Sequence, residues 1–342
     1  MNLAPIILRQ VISLKDLTGK SLAVDANNTL YQFLALIRTQ DGSPLTAPDG
    51  SITSHLTGLL YRSTRLICDY NMDLIFVFDG KPPECKVKEI EKRRRARERA
   101  IEEWRRALEA GDYAKAFSKA VMTSRLTKNM IEDAKRLLSL MGIPYVQAPG
   151  EAEAQAAYMA MKGDVWASSS RDYDSLLFGA PKLIRYLTIS GMEFLPSLGI
   201  SRRLEPELIT LNELLNYYKI TRRQLIDIAI LIGTDFNDGV RGIGPKRALD
   251  LVRRYGEIEG LPEDVRVKVA PNYEEVRRIF LEPNVDPEYS IHYEPLREEE
   301  LYHFLCDRKG FSRDRVERAI KRLINHQSSR RQRRLEEWFI KG

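Results

Sequence analysis

The 342-residue sequence is poor in cysteine and histidine, and it contains no long apolar run. Its three cysteines, Cys68, Cys85 and Cys306, are scattered and form no CxxC pair, so neither a disulfide framework nor a zinc knuckle is indicated. No apolar stretch is long enough for a membrane span, and the N-terminus MNLAPIILRQ lacks the pattern of a signal peptide. We therefore expect a soluble, intracellular chain.

The composition is that of a folded, basic protein. Hydrophobic residues make up 43% of the chain, which is enough for a sizeable core, and charged residues make up 30%. At roughly 150 residues per domain, the length predicts about two domains or one elaborated domain. The net charge of +6 favours polyanionic partners.

Short apolar runs alternate with helical patterns along the chain. The strand candidates lie within 21–29, 74–83, 141–150 and 164–179, and helix-like segments follow them. This alternation predicts an α/β fold with a mostly parallel central sheet flanked by helices. In such sheets, ligands bind beyond the carboxyl ends of the strands.

Acidic residues stand at those predicted strand ends. Asp25 and Asp79 each close an apolar run. Asp172 and Asp174 lie within the fourth segment and flank Tyr173 at i and i+2, a spacing that puts both side chains on one face of an extended segment. The sequence therefore predicts a carboxylate cluster at one edge of the sheet.

Three further acids are candidates for the same cluster. Glu151 and Glu153 follow a Pro-Gly turn at the start of a predicted helix, and Asp235 lies where the apolar helix LIDIAILIG breaks. Acids in a first helical turn also complement the helix dipole, so dipole stabilisation is the alternative interpretation of the two glutamates. The candidate set is Asp25, Asp79, Glu151, Glu153, Asp172, Asp174 and Asp235.

Seven carboxylates in one cleft would repel one another strongly unless cations were bound or their pKa values were raised. Mg²⁺ prefers oxygen ligands, and two ions about 4 Å apart suit phosphodiester hydrolysis. The four histidines form no cluster near these acids, which disfavours zinc.

Five motifs in order resemble the flap endonuclease branch of the structure-specific 5′-nucleases. The resemblance runs from about residue 14 to the C-terminus and is weakest at 191–204 and 257–300. Its motifs are VDANNTLYQFL, VFDGKPPECK, PGEAEAQAAY, SRDYDSLLFG and GTDFNDGVRGIGPKRAL. It implies two Mg²⁺ ions per active site, one held mainly by Asp25, Asp79, Glu151 and Glu153 and the other mainly by Asp172, Asp174 and Asp235.

The implied activity is removal of 5′ flaps from branched DNA near the single-strand/double-strand junction, together with 5′–3′ exonuclease activity, in lagging-strand maturation and base-excision repair. A gap- or exonuclease-biased relative and a non-catalytic branched-DNA-binding scaffold are the alternatives. A phosphatase with an aspartyl nucleophile is disfavoured, because Asp25-Ala-Asn lacks the Asp-x-Asp that such chemistry uses.

The segment 81–106 carries eleven Lys and Arg residues against six Glu residues. A solvated helix with i,i+4 ion pairs would explain such a composition. The resemblance instead implies a helical arch at 81–128 with two catalytic basic residues, Lys86 and Arg93. Their spacing of seven places them on one helix face, where they could stabilise charge on the scissile phosphate.

The turn GVRGIGPKR precedes a predicted helix, and its glycines can expose backbone N–H groups to phosphate. An ordinary turn between helices is the alternative. The resemblance implies a duplex-binding helix–turn–helix element at about 221–256, often with bound K⁺. The residues assigned to duplex binding in this way are Gly242, Gly244, Lys246 and Arg247.

Three further residues match DNA-contacting positions of the family. Tyr31 would stack on the base beside the scissile phosphate, and Arg38 and Arg62 would contact the DNA backbone. The nuclease core would then comprise 1–80 and 129–325.

The tail 326–342 resembles a sliding-clamp-binding box. Its candidate contacts are Gln332, Leu335, Trp338 and Phe339. An amphipathic helix that packs on its own domain is the alternative. We expect a monomer that binds branched DNA and a sliding clamp.

Overall fold

A computed structural model describes the backbone at residues 2–39, 41–81, 86–189, 191–195 and 200–341. Within these ranges the side chains are described except at 87–90, 92, 113–114, 192–195, 200–203 and 330–341. Of the helices in this part of the chain, none is both long enough and apolar enough to cross a membrane.

A seven-stranded sheet forms the centre of the molecule, with the strand order β1-β9-β6-β5-β2-β3-β4. The strands β2 to β6 pair in parallel, and β9 pairs antiparallel with β6 and with β1. A separate antiparallel hairpin consists of β7 and β8. The strands are β1 (Gln10–Val11), β2 (Ser21–Asp25), β3 (Asp73–Phe78), β4 (Tyr145–Gln147), β5 (Ala167–Ser169), β6 (Lys182–Arg185), β7 (Gly191–Leu195), β8 (Ile200–Leu204) and β9 (Glu207–Thr210).

Helices follow most strands, as the alternating pattern predicts. They are α1 (Ala26–Leu36), α2 (Ser54–Tyr70), α3 (Val87–Glu109), α4 (Tyr113–Met122), α5 (Lys128–Met141), α6 (Ala152–Lys162), α7 (Asp174–Leu177), α8 (Leu211–Tyr218), α9 (Arg222–Ile232), α10 (Pro245–Tyr255), α11 (Glu263–Arg266), α12 (Tyr273–Leu281), α13 (Glu298–Tyr302) and α14 (Arg313–Lys341). The predicted α/β fold with a mostly parallel central sheet flanked by helices is confirmed.

Strands β2 and β3 are buried on both faces, which explains their nearly continuous apolar sequences. Leu22 and Phe76 point into a core that α2, α5 and α14 complete. Ala23 and Val77 point the other way, into a smaller core under α6. The alanines of α6 are small enough to let this helix lie close to the strands, so the first turn of α6 reaches the end of β3.

The carboxyl ends of β2, β3 and β5 lie side by side, because these strands are parallel neighbours. Asp25 is the last residue of β2, and Asp79 follows β3 directly. Helix α6 begins after Glu151 at the same edge. The fold therefore collects acidic residues from distant parts of the sequence at one edge of the sheet.

Helices α3 and α4 pack against each other; along the chain they lie after β3 and before α5. Asp112 caps the N-terminus of α4, since its side chain accepts a hydrogen bond from the Lys115 N–H at 3.0 Å. Arg38, which follows α1, donates a 2.7 Å hydrogen bond to the Ser124 hydroxyl just beyond α4. This bond ties the end of the helical pair to the end of α1.

Candidate active site

Asp25 links the end of β2 to the start of α1. Its carboxylate accepts hydrogen bonds from the Asn28 N–H at 3.0 Å and from the Ser170 hydroxyl at 3.3 Å. Only 6% of the residue is exposed. Burial raises the pKa of Asp25 well above its usual value, and repulsion from Asp79 and Asp172 adds to this shift.

Asp79 is held against the first residue of α6. Its Oδ1 accepts a 2.8 Å hydrogen bond from the Ala152 N–H, which otherwise has no partner at a helix start. Gly80 permits this approach, because a Cβ there would lie 2.3 Å from the Ala148 carbonyl oxygen. Burial raises the pKa of Asp79, and the nearby carboxylate of Glu151 raises it further.

Glu151 and Glu153 do more than complement the dipole of α6. Glu151 occupies the N-cap position but makes no side-chain capping bond, and its carboxylate accepts a 2.6 Å bond from the Lys86 ammonium. Burial raises the pKa of Glu153 well above its usual value, with repulsion from Asp174 and Asp25 as further causes. A carboxylate that only complemented a helix dipole would have a stabilised charge instead.

Asp172 lies in a bend and Asp174 is the first residue of α7, so the pair does not lie in an extended segment. Both carboxylates nevertheless face the cluster. The Asn28 side-chain amide donates to Asp172 at 2.8 Å. Burial raises the pKa of Asp174 to about 7, with repulsion from Asp172 and then Asp235 as further causes.

Asp235 lies in the turn after α9. It accepts a 2.8 Å hydrogen bond from the guanidinium of Arg93 and lies 3.6 Å from the Lys86 ammonium. The structure thus brings all seven predicted acids together at one edge of the sheet.

The seven side chains form a set of ligands suited to divalent cations that prefer oxygen. Every side chain in the set is a carboxylate, and several are buried against one another with raised pKa values. Two hard cations would relieve this repulsion. The cluster is therefore a group of acids that could bind metal.

Another group of carboxylates does not need an ion. Oxygens of Asp227, Glu257 and Glu259 lie within 4.8 Å of one another. Arg277 satisfies two of these acids, because its guanidinium bonds Asp227 at 2.7 and 2.9 Å and Glu259 at 2.7 and 3.1 Å. Arg223 bonds Glu257 at 2.8 Å. We interpret this group as a structural ion-pair network.

Lys86, the N-cap residue of α3, and Arg93, within α3, both contact Asp235, so their side chains point to the same side of the helix. Burial alone would lower the pKa of Lys86, but the charges of Glu151, Asp235 and Asp79 raise it. Lys86 is therefore protonated at neutral pH. Two cationic side chains thus stand next to the carboxylates.

The three residues predicted to contact DNA near the site differ in their exposure and in the hydrogen bonds they already make. Tyr31 is 39% exposed in the second turn of α1. Arg38 already donates to the carbonyl oxygens of Leu34 and Gly42, besides its bond to Ser124. Arg62 is half-buried on α2. Arg38 therefore has a structural role in addition to any contact with DNA.

The predicted duplex-binding turn lies at the N-terminus of α10. Gly242 has a φ of +83°, a value that favours glycine, and Gly244 is the N-cap residue. Lys246 and Arg247 are exposed in the first turn. Two exposed cationic side chains thus lie beside a helix N-terminus, the place where backbone N–H groups can bind phosphate.

The clamp-binding candidates lie outside the described side chains. The backbone of helix α14 extends through them to Lys341, but Gln332, Leu335, Trp338 and Phe339 fall in the range 330–341. Their role stays a prediction.

Sequence reasoning missed the polar residues that orient the acids. Asn28 bonds both Asp25 and Asp172, through its backbone N–H and its side chain. Ser170 bonds Asp25 and accepts from the Asp172 N–H at 3.2 Å. Both residues lie within three positions of a predicted acid, and that proximity was the only signal available.

Comparison with known proteins identifies the family. The family model for the XPG N-terminal domain matches residues 2–100, and the family model for the XPG I-region matches residues 142–235. Flap endonuclease 1 from Pyrococcus horikoshii is 49% identical over 337 residues, which cover 98% of this chain and 97% of that protein.

Solved structures agree with this result. The structure of flap endonuclease-1 from Methanococcus jannaschii has 43% identity and a TM-score of 0.76, covering 96% of this chain and 99% of the other. The catalytic core of Rad2 in complex with a DNA substrate has 23% identity and a TM-score of 0.67, covering 93% and 96%, and this likeness concerns the fold alone. The identity shared over nearly the whole chain shows that the protein belongs to the flap endonuclease 1 family.

Proposed function

We propose that the protein removes 5′ flaps from branched DNA by hydrolysing a phosphodiester bond near the single-strand/double-strand junction. As a member of its family it is a structure-specific flap nuclease and a hydrolase. The observation that carries the residue assignment is the meeting of seven carboxylates and two cationic side chains at the carboxyl edge of the sheet. The products would be a 5′-phosphate and a 3′-hydroxyl.

The carboxylates would hold two Mg²⁺ ions. Asp25, Asp79, Glu151 and Glu153 would serve mainly one ion, and Asp172, Asp174 and Asp235 mainly the other. When bound, the ions would supply activated water and stabilise the charge that develops on the phosphate. The protein's own contribution is a rigid set of oxygen ligands, because Asn28, Ser170 and the Ala152 N–H fix three of the carboxylates.

Lys86 and Arg93 would stabilise charge on the scissile phosphate. Both already lie within hydrogen-bonding distance of an acid in the cluster, at 2.6 and 2.8 Å. A phosphate that entered the cluster would therefore come within reach of the same two groups. Positioned cations of this kind act most strongly where water is excluded.

The remaining assignments concern binding. Tyr31 would stack on a base, while Arg38, Arg62, Gly242, Gly244, Lys246 and Arg247 would contact the DNA backbone. A K⁺ ion at the turn before α10 and a sliding clamp at the C-terminal tail belong to the same proposal, as does action by the monomer. A role in DNA replication and repair would place the protein inside the cell.

The test is cleavage of a duplex that carries a labelled 5′ flap. We expect Mg²⁺-dependent cleavage close to the junction, and loss of cleavage with Asp79→Asn while the flap substrate still binds. Nicked, gapped and blunt duplexes in the same assay separate flap cleavage from exonuclease action. Binding without cleavage at any Mg²⁺ concentration would contradict the proposal and favour a non-catalytic scaffold.

A further inference from the structure

Asp172 and Asp174 are separated by a single residue whose side chain lies in the core. Tyr173 is 6% exposed and belongs to the same apolar core as Leu176 and Leu183. Its neighbours on both sides face the acid cluster. The direction of the two carboxylates therefore depends on how firmly the backbone around Tyr173 is held.

Arg185, at the end of β6, bonds this segment on both sides of Asp172. Its Nε donates to the Arg171 carbonyl oxygen at 2.8 Å, and its Nη1 donates to the Tyr173 hydroxyl at 2.7 Å. Arg185 is 7% exposed. These two bonds fix the backbone before Asp172 and the side chain after it.

The guanidinium is itself held in one orientation by two tyrosine rings. It lies 4.2 Å from the ring centre of Tyr173 and 4.6 Å from that of Tyr186, and it donates to the Tyr186 hydroxyl at 3.0 Å. Tyr186 has a φ of +60°, which is uncommon for a bulky residue and often accompanies functional constraint. Packing and hydrogen bonds thus specify the Arg185 side chain.

Glu207 matches the positive charge of Arg185. The two residues are directly opposed in the antiparallel pair of β6 and β9, and Nη1 lies 2.7 Å from the Glu207 carboxylate. Because the Glu207 carboxylate compensates its charge, Arg185 contributes little to neutralising the acid cluster. The contribution of Arg185 to that cluster is therefore geometric.

We propose that Arg185 is the positioning residue for the Asp172–Asp174 ligand pair. It holds residues 171–173 so that both carboxylates face one divalent cation, and Tyr173 transmits this constraint. The inference rests on the proposed function, since it assigns a supporting residue to the second metal position. Groups behind metal ligands typically change metal affinity or activity by about 10- to 100-fold when they are removed.

The direct test is Mn²⁺ binding to the full chain without DNA, measured by electron paramagnetic resonance and calorimetry. Arg185→Lys keeps the charge but loses the planar donor fork, so we expect Mn²⁺ affinity at the weaker site to fall about 10-fold or more. Flap cleavage by this variant should recover as the Mn²⁺ concentration is raised. Tyr173→Phe removes one hydroxyl, leaves every buried charge paired, and should weaken binding severalfold.

Arg277→Lys is the matched control. Arg277 is similarly buried and also bonds carboxylates, but it lies on α12 and its ion pairs go to Asp227 of α9 and to Glu259, not to the segment 171–174. It should lower thermal stability as Arg185→Lys does and leave Mn²⁺ affinity unchanged. If Arg185→Lys does not fold, Tyr173→Phe decides the question.

Two outcomes separate this inference from the proposed function. Wild-type Mn²⁺ affinity in the folded Arg185→Lys variant, or in Tyr173→Phe where that variant must decide, would overturn the positioning role alone. Failure of the wild-type chain to bind Mn²⁺ would overturn the two-metal assignment and this inference with it.

Discussion

Two groups of carboxylates in this protein have opposite electrostatic surroundings. In the network around Arg277, a buried guanidinium bonds Asp227 and Glu259, and its hydrogen bonds lower the pKa of Glu259. Burial raises the pKa of Asp227, but Arg277 opposes that shift. In the active-site cluster, the neighbours of Glu153 and Asp174 are further acids, and these raise their pKa values beyond what burial does.

The difference separates acids whose negative charge is compensated within the protein from acids whose charge calls for a bound cation. Asp227 has its counter-charge from α12 and an additional bond from the Ile258 N–H at 3.1 Å. The cluster at the sheet edge has more carboxylates than Lys86 and Arg93 can neutralise. Proximity of carboxylates alone does not separate a metal site from a structural network, whereas the balance of charge around them does.

The largest effect should follow the loss of an acid from the active-site cluster. Asp172→Asn or Asp79→Ala should reduce flap cleavage by more than the ~100-fold typical of supporting groups, since a ligand itself is lost. Flap binding should persist, because most affinity comes from phosphate contacts elsewhere. Single-turnover cleavage and a gel-shift assay measure the two quantities.

Asp227→Asn provides the contrast within the same comparison. It should lower stability and leave single-turnover cleavage by the folded enzyme near the wild-type rate. Near-normal turnover in both Asp172→Asn and Asp79→Ala at ordinary Mg²⁺ would remove the two-metal assignment.

The Arg277 network should show its importance in stability. Arg277→Met leaves Asp227 buried without its partner, and breaking a buried pair in this way costs about 3–5 kcal/mol. Replacing both residues, Asp227→Leu with Arg277→Met, should recover much of that loss, because no buried charge then remains unpaired. Urea denaturation measures both variants. Equal destabilisation in the single and double variants would show that the charge pairing is not the cause.

A smaller effect on cleavage should separate the two cations proposed to be catalytic from the rest of the basic helix. Lys86→Ala and Arg93→Ala should each slow single-turnover cleavage by on the order of 10²-fold, since both groups lie at the acid cluster. Arg99→Ala and Arg105→Ala change exposed residues of the same helix. They should mainly weaken binding and its salt dependence. If all four variants behaved alike, α3 would act only as a basic surface.

The acids of the site could be predicted from sequence because local pattern places them. Asp25 and Asp79 stand at the ends of apolar strands, and parallel pairing then brings the strand ends together. Glu151 follows a turn that begins a helix at the same edge. Each of these positions is visible within about ten residues of sequence.

The supporting contacts could not be predicted, because they join distant segments. Asn28 meets Asp172 across 144 positions, and Arg185 meets Glu207 through strand register. The hairpin of β7 and β8 lies in 191–204, where the motifs give little guidance. Arg38 shows a related limit, since its match to a DNA-contacting position gave no sign of its bonds to Gly42 and Ser124.

The smallest effect on cleavage should come from removing the C-terminal tail. Helix α14 is anchored in the core by Val316, Ile320 and Leu323, all of which precede residue 331. Deleting 331–342 therefore removes no apolar residue of that described core, and cleavage of a short flap substrate should change by less than about 2-fold, within ordinary surface-mutation limits. The same deletion should abolish stimulation by the cognate sliding clamp.

A double substitution, Trp338→Ala with Phe339→Ala, tests whether the aromatic side chains carry that interaction. Large aromatic residues are frequent anchors at interfaces, so the pair should reproduce the loss of clamp binding in calorimetry. Arg330→Ala with Arg331→Ala is the control, because it changes charge next to the box and leaves the aromatic residues in place. Clamp affinity that survives the deletion would return the tail to its alternative role, a helix that packs on its own domain.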